Sequence, residues 1–596
     1  MCTDMCTERN FYEFDSPEWK LLSQVSRPSR YSGSEWREYS CENDWESASL
    51  RICLTFPDVY EIGMSYYGFQ IINSFVKSLG KNYLVDRAYS VWGDMAAKMR
   101  ENDLQIYSVE RKKFLSEFDV IAFTLPHEAA YTNILTILQL AGLEIRTENR
   151  RKHDPLIIAG GYGAYVPEPV SKFIDLFCVG DSEAVLPELL EVLSEAKDLE
   201  LSERLELCKN IPGVYIPSIH KNCRIHRQVS EKFFMPSSMI VPSVSVVHDR
   251  AAIELFRGCG RGCRFCQAGM VNRPVRESDV NKAGESIMKI LRSTGWDEVG
   301  LLSLASCDYS GIESLIDNLS GELSKRKARL SLPSLRMDGF SVGLAERLSG
   351  VNSRRGGITF APEAGTQRMR DVINKGLTDE MIMNCLGEIF SRGWERVKLY
   401  FMMGLPTETQ EDLRAISELA RRTLRLGRSM GRKRVTVSVS VSGFVPKAHT
   451  PFQWERQNSI EELRDKGRFI KSENHEHNIT IAYHEPEQTF LEGVLSRGDV
   501  RTCDVIEHAW RNGAEFDNWT ECFDLNRWLN AFESLGIDPN DYTRERSESE
   551  ILPWDFIDVG ITKEFLLRER HKAYDCKLTI DCKNGCGACG LNCVKS

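Results

Sequence analysis

The sequence predicts an α/β protein of two consecutive domains, a doubly wound parallel sheet followed by a full or partial β/α barrel. Three observations carry this expectation. At 596 residues the chain exceeds what one hydrophobic core holds. Short β-rich runs alternate with helical patterns in two separate stretches, 46–200 and 249–480. Between them, 201–248 is richer in Pro, Ser and Val and reads as a β-containing connector.

Taken in order, residues 1–45 are polar and aromatic without a clear period and read as an irregular extension. In the first domain "SLRICLTFP", "FDVIAFTLP" and "DPLIIAGG" are short β-rich runs ending in turn residues. "AAYTNILTILQLAGL" and "SEAVLPELLEVLSEA" carry apolar residues at three- and four-residue spacing, as helices do. A sheet of this kind binds ligands beyond the C-terminal ends of its strands. The barrel strands are "AAIELF", "EVGLLSLAS", "RLSLPSLR", "GGITFAP", "RVKLYFMMGLP" and "RVTVSVSVSGFVP", and its active site belongs at their C-terminal ends. A mainly helical region, 481–575, leads to a cysteine-dense tail, 576–596.

Hydrophobic content of 42% and charged content of 27% are ordinary for a globular protein. A net charge of −10 gives no global attraction to nucleic acid or anionic membranes, so contact with RNA would need a local basic patch. No window reads as a membrane helix, and "MCTDMCTERNFYEF" has no apolar signal segment, so a cytoplasmic protein is expected. Its 19 cysteines then stay reduced, and clustered thiols read as metal ligands.

"ELFRGCGRGCRFCQAGM" places Cys259, Cys263 and Cys266 in C-x₃-C-x₂-C spacing on a glycine-rich loop after a strand. Glycines let the backbone wrap an inorganic core, and thiolates are soft anionic ligands, so an iron–sulfur cluster fits. Three ligands are one too few for a [4Fe–4S] cube and leave one iron open. Zinc usually takes four ligands in paired spacings, and no second pair is nearby. Three incidental thiols are the remaining alternative.

With Phe265 just before the third cysteine, this motif resembles the signature of the radical SAM superfamily. The resemblance implies that the three cysteines hold a [4Fe–4S] cluster whose open iron chelates S-adenosylmethionine (SAM). One electron passed into the sulfonium would release methionine and a 5′-deoxyadenosyl radical. "VKLYFMMGLPTETQEDL" resembles the superfamily's fifth-strand segment, with Gly404 in the loop. "GGITFAPEAGTQRMRDVINKG" resembles the fourth and places Glu363 near the SAM ribose or methionine. By the same resemblance "LSLASCDYSG" offers Ser306 and Asp308 toward the SAM amino group, although the usual Gly-Gly-Glu is absent. "SLPSLRMDGFS" offers Arg336 to the SAM carboxylate. Each of these residues alone also reads as a solvated turn or cap. "SVSGFVPKAHTPFQW" is similar to the sixth-strand segment that borders the substrate cavity in cobalamin-dependent and methylthiolating members.

"PLIIAGGYGAYVPEPVSKFIDLFCVGDSEAVLPELL" resembles the Gly-Gly, Pro-Glu, Gly-x-x-Glu segment of the cobalamin-binding subgroup. Gly160, Gly161, Gly180 and Glu183 fall on those positions and are implied to meet the corrin or its nucleotide tail. The plainer alternative is glycines that end strands in any α/β domain. No D-x-H-x-x-G is present, so no lower-face histidine is expected on cobalt. Further segments, among them "SVWGDMAAKMR", "LSRGDVRTCDVIEHAWRNGAEFDNW" and "ILPWDFIDVGITKEFLLRE", resemble a family of large cobalamin-binding radical SAM proteins without a settled reaction.

"DCKNGCGACGLNCVKS" closes the chain with Cys582, Cys586, Cys589 and Cys593. Four thiols with interleaved glycines suit a second iron–sulfur cluster or a Cys₄ zinc knuckle, and a frayed terminus is the alternative. His127, His449 and His484 flank turns near strand ends, where a lone histidine is more often structural. The basic run from Arg421 to Arg434 reads as a solvated helix face.

The resemblance implies a cobalamin- and SAM-dependent radical methyltransferase or a relative, acting on an unidentified substrate. It also implies an electron donor such as flavodoxin or ferredoxin. A methylthiotransferase-like, RNA-modifying enzyme with a vestigial cobalamin domain is the second expectation. A non-catalytic iron–sulfur sensor is the third.

Overall fold

The structure is a computed structural model that describes residues 17–33, 35–36, 44–231, 234–332, 336–338 and 357–591. The chain divides into two compact units. Unit 1 comprises the described residues up to Lys221 together with Met239–Asp249 and Ile506–Cys522; unit 2 comprises the rest.

Unit 1 is built on β1 (Leu50–Phe56), β2 (Tyr83–Tyr89), β3 (Val120–Thr124), β4 (Leu156–Gly160), β5 (Leu176–Cys178) and β6 (Val214–Tyr215). They form one sheet in the order β2-β1-β3-β4-β5-β6. The first five are parallel, and β6 runs antiparallel to β5. Burial along β1, β3 and β4 is nearly continuous, as a parallel sheet covered on both faces requires. The order 2-1-3-4-5 puts the topological switch between β1 and β3, where doubly wound sheets open a ligand crevice.

Two charged residues sit inside β2. Arg87 is 1% exposed and ion-pairs with Glu35 at 2.7 Å and Glu110 at 2.8 Å. Asp86 accepts from the backbone N–H groups of Glu110 and Arg111 at 3.0 and 2.8 Å. The unit also runs past the expected boundary at residue 200. Helix Leu201–Cys208 and β6 continue it, and the segment expected as a connector is shared between the two units.

Unit 2 contains β7 (Ile225–His226), β8 (Ala251–Glu254), β9 (Phe256–Arg257), β10 (Arg276–Glu277), β11 (Glu298–Leu302) and β12 (Arg329–Ser331). It continues with β13 (Ile358–Glu363), β14 (Arg396–Met403), β15 (Thr436–Gly443), β16 (Ile479–Tyr483) and β17 (Ile557–Asp558). Two parallel sheets, β12-β11-β8 and β13-β14-β15-β16, follow chain order as β/α barrel strands do. Along β14 alternate residues from Val397 to Met403 are buried. They pack against Ile416, Leu419, Ala420 and Leu424 of helix Gln410–Ser429. That helix's arginines are engaged by acids, Arg421 by Glu418 at 2.8 Å and Arg422 by Asp379 at 2.7 Å. Helix Lys563–Tyr574 precedes the tail. Among the described residues, no helix is long and apolar enough to cross a membrane.

Candidate functional site

β8 and then β9 deliver the chain to Gly258, whose φ of +88° lies in the left-handed region. A Cβ there would stand 2.5 Å from the Pro274 carbonyl oxygen and 2.7 Å from that of Asn272. Only glycine fits, and the turn it makes brings in Cys259. The Cys266 N–H donates to the Cys263 carbonyl at 3.2 Å, and the Gly269 N–H donates to the Cys266 sulfur at 3.3 Å. Cys263 is buried, while Cys259 and Cys266 are partly exposed.

The three thiols feel one another electrostatically. Burial, then the neighbouring Cys263, raises the Cys259 thiol above its usual range. The same two causes push Cys266 up to about 12, with the Gly269 N–H and Lys375 working the other way. Burial opposes the charge on Arg336, but Cys263, Asp338 and Cys259 outweigh it and raise its pKa. Arg336 is fixed by Asp338 at 3.0 Å and by the Lys375 carbonyl at 3.3 Å.

Among the described residues, no three His, Cys, Asp or Glu side chains converge closely enough for a single metal ion. A cubane cluster offers iron atoms at separate corners and accepts thiolates from further apart. The loop's glycines, its N–H group aimed at sulfur and its nearby cations fit the cluster.

The other expected residues are placed as follows in the fold. Asp308 and Arg336 lie at the loop: Arg261, between the first two cysteines, ion-pairs with Asp308, with Asp338 at 2.7 Å and with Asp581 at 2.9 Å. Glu363 ends β13 after a break in register, with φ at +69°, and accepts from Lys375 at 3.2 Å. Such a backbone is strained for glutamate and is a mark of functional sites. Ser306 is fully buried, and its hydroxyl donates to the Leu301 carbonyl at 3.0 Å, so it offers a ligand no surface. Gly404 follows β14 and donates its N–H to both Glu408 oxygens, at 3.0 and 2.9 Å.

In unit 1, Gly160 ends β4 and Gly161 follows it, Gly180 follows β5, and Glu183 lies in the first turn of helix Ser182–Glu195. Gly161 has φ +96°, and a Cβ on it would meet the Leu125 carbonyl at 2.9 Å. At the ends of β1 and β2 a distant segment covers the edge. Asp58 accepts from Asn518 at 2.7 Å and from the Trp519 indole at 3.1 Å. Trp92 packs on Phe516 and Trp519, with ring centroids 4.8 and 5.2 Å apart. His127 lies beyond the end of β3 near Asp58, His449 is buried, and His484 is exposed.

Cys582 is exposed, its N–H donating to the Gly260 carbonyl at 3.1 Å; Cys586 is exposed and Cys589 buried; Cys593 lies outside the described residues. The expected self-contained tail thus packs on the cysteine loop of the barrel. Arg261, Asp338, Asn374 and Asp581 were not legible as site residues. The two arginines spaced among the loop cysteines were the only available signal.

Two family models match, one described as the N-terminal part of radical SAM proteins over residues 68–217 and one as the radical SAM superfamily over 253–420. The second begins in β8 and spans the cysteine loop, β13 and β14. The chain carries a radical SAM domain. An uncharacterized protein of Methanocaldococcus jannaschii is 26% identical to this radical SAM chain over 459 residues, which cover 76% of it and 94% of the relative. Among solved structures, the fold matches the radical SAM methyltransferase TsrM of Kitasatospora setae, solved with cobalamin and a [4Fe–4S] cluster bound. That match has a TM-score of 0.51 at 13% identity and covers 81% of this chain and 99% of TsrM. The cobalamin-dependent radical enzyme OxsB aligns with a TM-score of 0.48 at 14% identity, covering 88% of this chain and 79% of OxsB.

Proposed function

We propose that this radical SAM enzyme holds a [4Fe–4S] cluster on Cys259, Cys263 and Cys266 and uses it, with cobalamin, for methyl transfer or another radical modification of an unidentified substrate. The observation that carries this is the C-x₃-C-x₂-C placement of the three thiols on one tight loop behind Gly258, to which Asp338 ties both Arg261 and Arg336. When bound, the cluster supplies an electron that cleaves SAM, and cobalamin supplies a methyl carrier. Cys259, Cys263 and Cys266 bind as thiolates, and Arg336 and Lys375 offset their charge. Asp308, Arg336 and Glu363 are the polar groups offered to SAM, with Lys375 orienting Glu363. Gly404 shapes the loop after β14 through Glu408. In unit 1, Gly160, Gly161, Gly180 and Glu183 would hold the corrin at the ends of β4 and β5, with no protein histidine on cobalt.

A second reading, an RNA-modifying, methylthiotransferase-like enzyme with a vestigial cobalamin domain, is favoured by one observation. The ends of β1 and β2, beside the switch point, are covered by Phe516, Asn518 and Trp519. Anaerobic purification separates the two, because corrin absorption bands support the first and an iron–sulfur shoulder alone supports the second. A chain that binds a cluster but yields no 5′-deoxyadenosine with SAM and a reductant, such as reduced flavodoxin, would be a sensor. The tail cysteines are proposed to hold a second centre. Two [4Fe–4S] clusters give about eight irons per chain, whereas a zinc tail leaves about four.

A further inference from the structure

The residues between the cluster cysteines are held by a segment more than 300 positions downstream. Arg264 is fully buried, ion-pairs with Glu569 at 3.2 Å and donates to the Lys577 carbonyl at 2.6 Å. Thr579 donates its N–H to the Asn374 side-chain oxygen at 2.9 Å. The same Asn374 amide donates to the carbonyls of Arg261 and Gly262, at 3.2 and 3.1 Å. The Thr579 hydroxyl donates to Glu569, at 2.7 Å to the oxygen that pairs with Arg264. Asp581 ion-pairs with Arg261 at 2.9 Å, and the Cys582 N–H donates to the Gly260 carbonyl at 3.1 Å.

The inward contacts alternate along the segment. The Thr579 and Asp581 side chains bond to Glu569 and Arg261, while Leu578 and Ile580 are 52% and 58% exposed; the Lys577 side chain is exposed and only its carbonyl meets the loop. This is the period of an extended strand laid across a surface. Gly260, Arg261, Gly262 and Arg264 each carry at least one contact that originates in, or is relayed from, residues 569–582. An Asp581 carboxylate that served only to tether the tail would not need to share one guanidinium with Asp308 and Asp338.

We propose that Lys577–Cys582 is a strap that positions the cluster-binding loop, with Asp581 and Thr579 as its positioning residues. This rests on the assignment of the cluster to Cys259, Cys263 and Cys266. Loss of an outer partner of a metal ligand typically weakens metal retention by about 10- to 100-fold. The strap variants should do the same without touching a thiol.

The test uses the full chain, reconstituted anaerobically, as wild type, Asp581→Ala, Asp581→Glu and Thr579→Val. Iron and sulfide per chain, the rate of iron loss to a chelator, and the electron paramagnetic resonance of the reduced cluster with and without SAM are measured. Iron held by Cys263→Ala, alone and combined with each strap change, marks what binds elsewhere and is subtracted. Asp581→Ala and Thr579→Val should lose iron at least about tenfold faster and shift the resonance. Asp581→Glu should restore both, with circular dichroism unchanged throughout. Equal loss rates and identical spectra in all four chains would overturn the strap and leave the cluster assignment standing. If wild type holds no more iron than Cys263→Ala, the cluster assignment itself falls, and the strap with it. Should Asp581→Ala fail to fold, Thr579→Val alone decides, because it keeps every charge.

Discussion

Trp519 donates its indole N–H to Asp58 at 3.1 Å, joining residues 461 positions apart in sequence at the end of β1. Burial raises the Asp58 carboxyl above its ordinary value, against hydrogen bonds from Val59, Asn518 and Trp519. The folded chain therefore binds this proton more tightly than the unfolded chain. The group's contribution to stability is full below the unfolded value near 3.8 and falls as pH rises through the folded one. A denaturation series from acid to neutral pH should show that loss, and Asp58→Asn should flatten it. Tryptophan emission should titrate with the same midpoint in wild type only.

Arg87 carries the second prediction. Its two carboxylate partners, Glu35 and Glu110, are no more than 1% exposed at their side chains. Arg87→Met takes a cation from both buried carboxylates, Glu110 keeping Arg111 at 3.5 Å, and should cost about 3–5 kcal/mol. A denaturant midpoint unmoved by this change would show that water reaches the pair.

Cys263→Ala should keep the fold, since a buried thiol becomes a smaller apolar group. It should also remove about four irons per chain and abolish 5′-deoxyadenosine formation. Undiminished SAM cleavage in that variant would exclude the three-cysteine cluster.

Glu363→Gln tests the strained end of β13. Iron content should stay at the wild-type level while SAM binds about tenfold more weakly, a loss of about 1.4 kcal/mol. Isothermal titration with SAM measures this. An unchanged affinity would remove Glu363 from the SAM site and leave its positive φ a feature of the bulge.

The α/β class, the parallel sheet and the order of the barrel strands were legible because β1, β3, β4, β14 and β15 are written as uninterrupted or strictly alternating apolar runs. β2 was not, since Asp86 and Arg87 break its apolar pattern and are tolerated only through partners elsewhere in the fold. β16 was missed because only Ile479 and Ile481 of its five residues are fully buried. The cysteine loop announces itself by spacing. The groups that hold it do not, because Asn374, Asp338 and Asp581 are ordinary polar residues until the chain folds them onto Arg261 and Gly262.

Ile506–Cys522 belongs to unit 1, although the rest of that unit lies within the first 249 residues. On the ribosome, the sheet must therefore wait for its last piece. At about 5–20 residues per second, the roughly 270 residues between Asp249 and Cys522 take about 14–55 s to make. Throughout that interval Asp58 lacks Asn518 and Trp519, and Trp92 lacks the rings that cover it. The nascent sheet presents an apolar, half-finished edge to whatever attends the exit tunnel, and its completion is timed by the synthesis of the barrel.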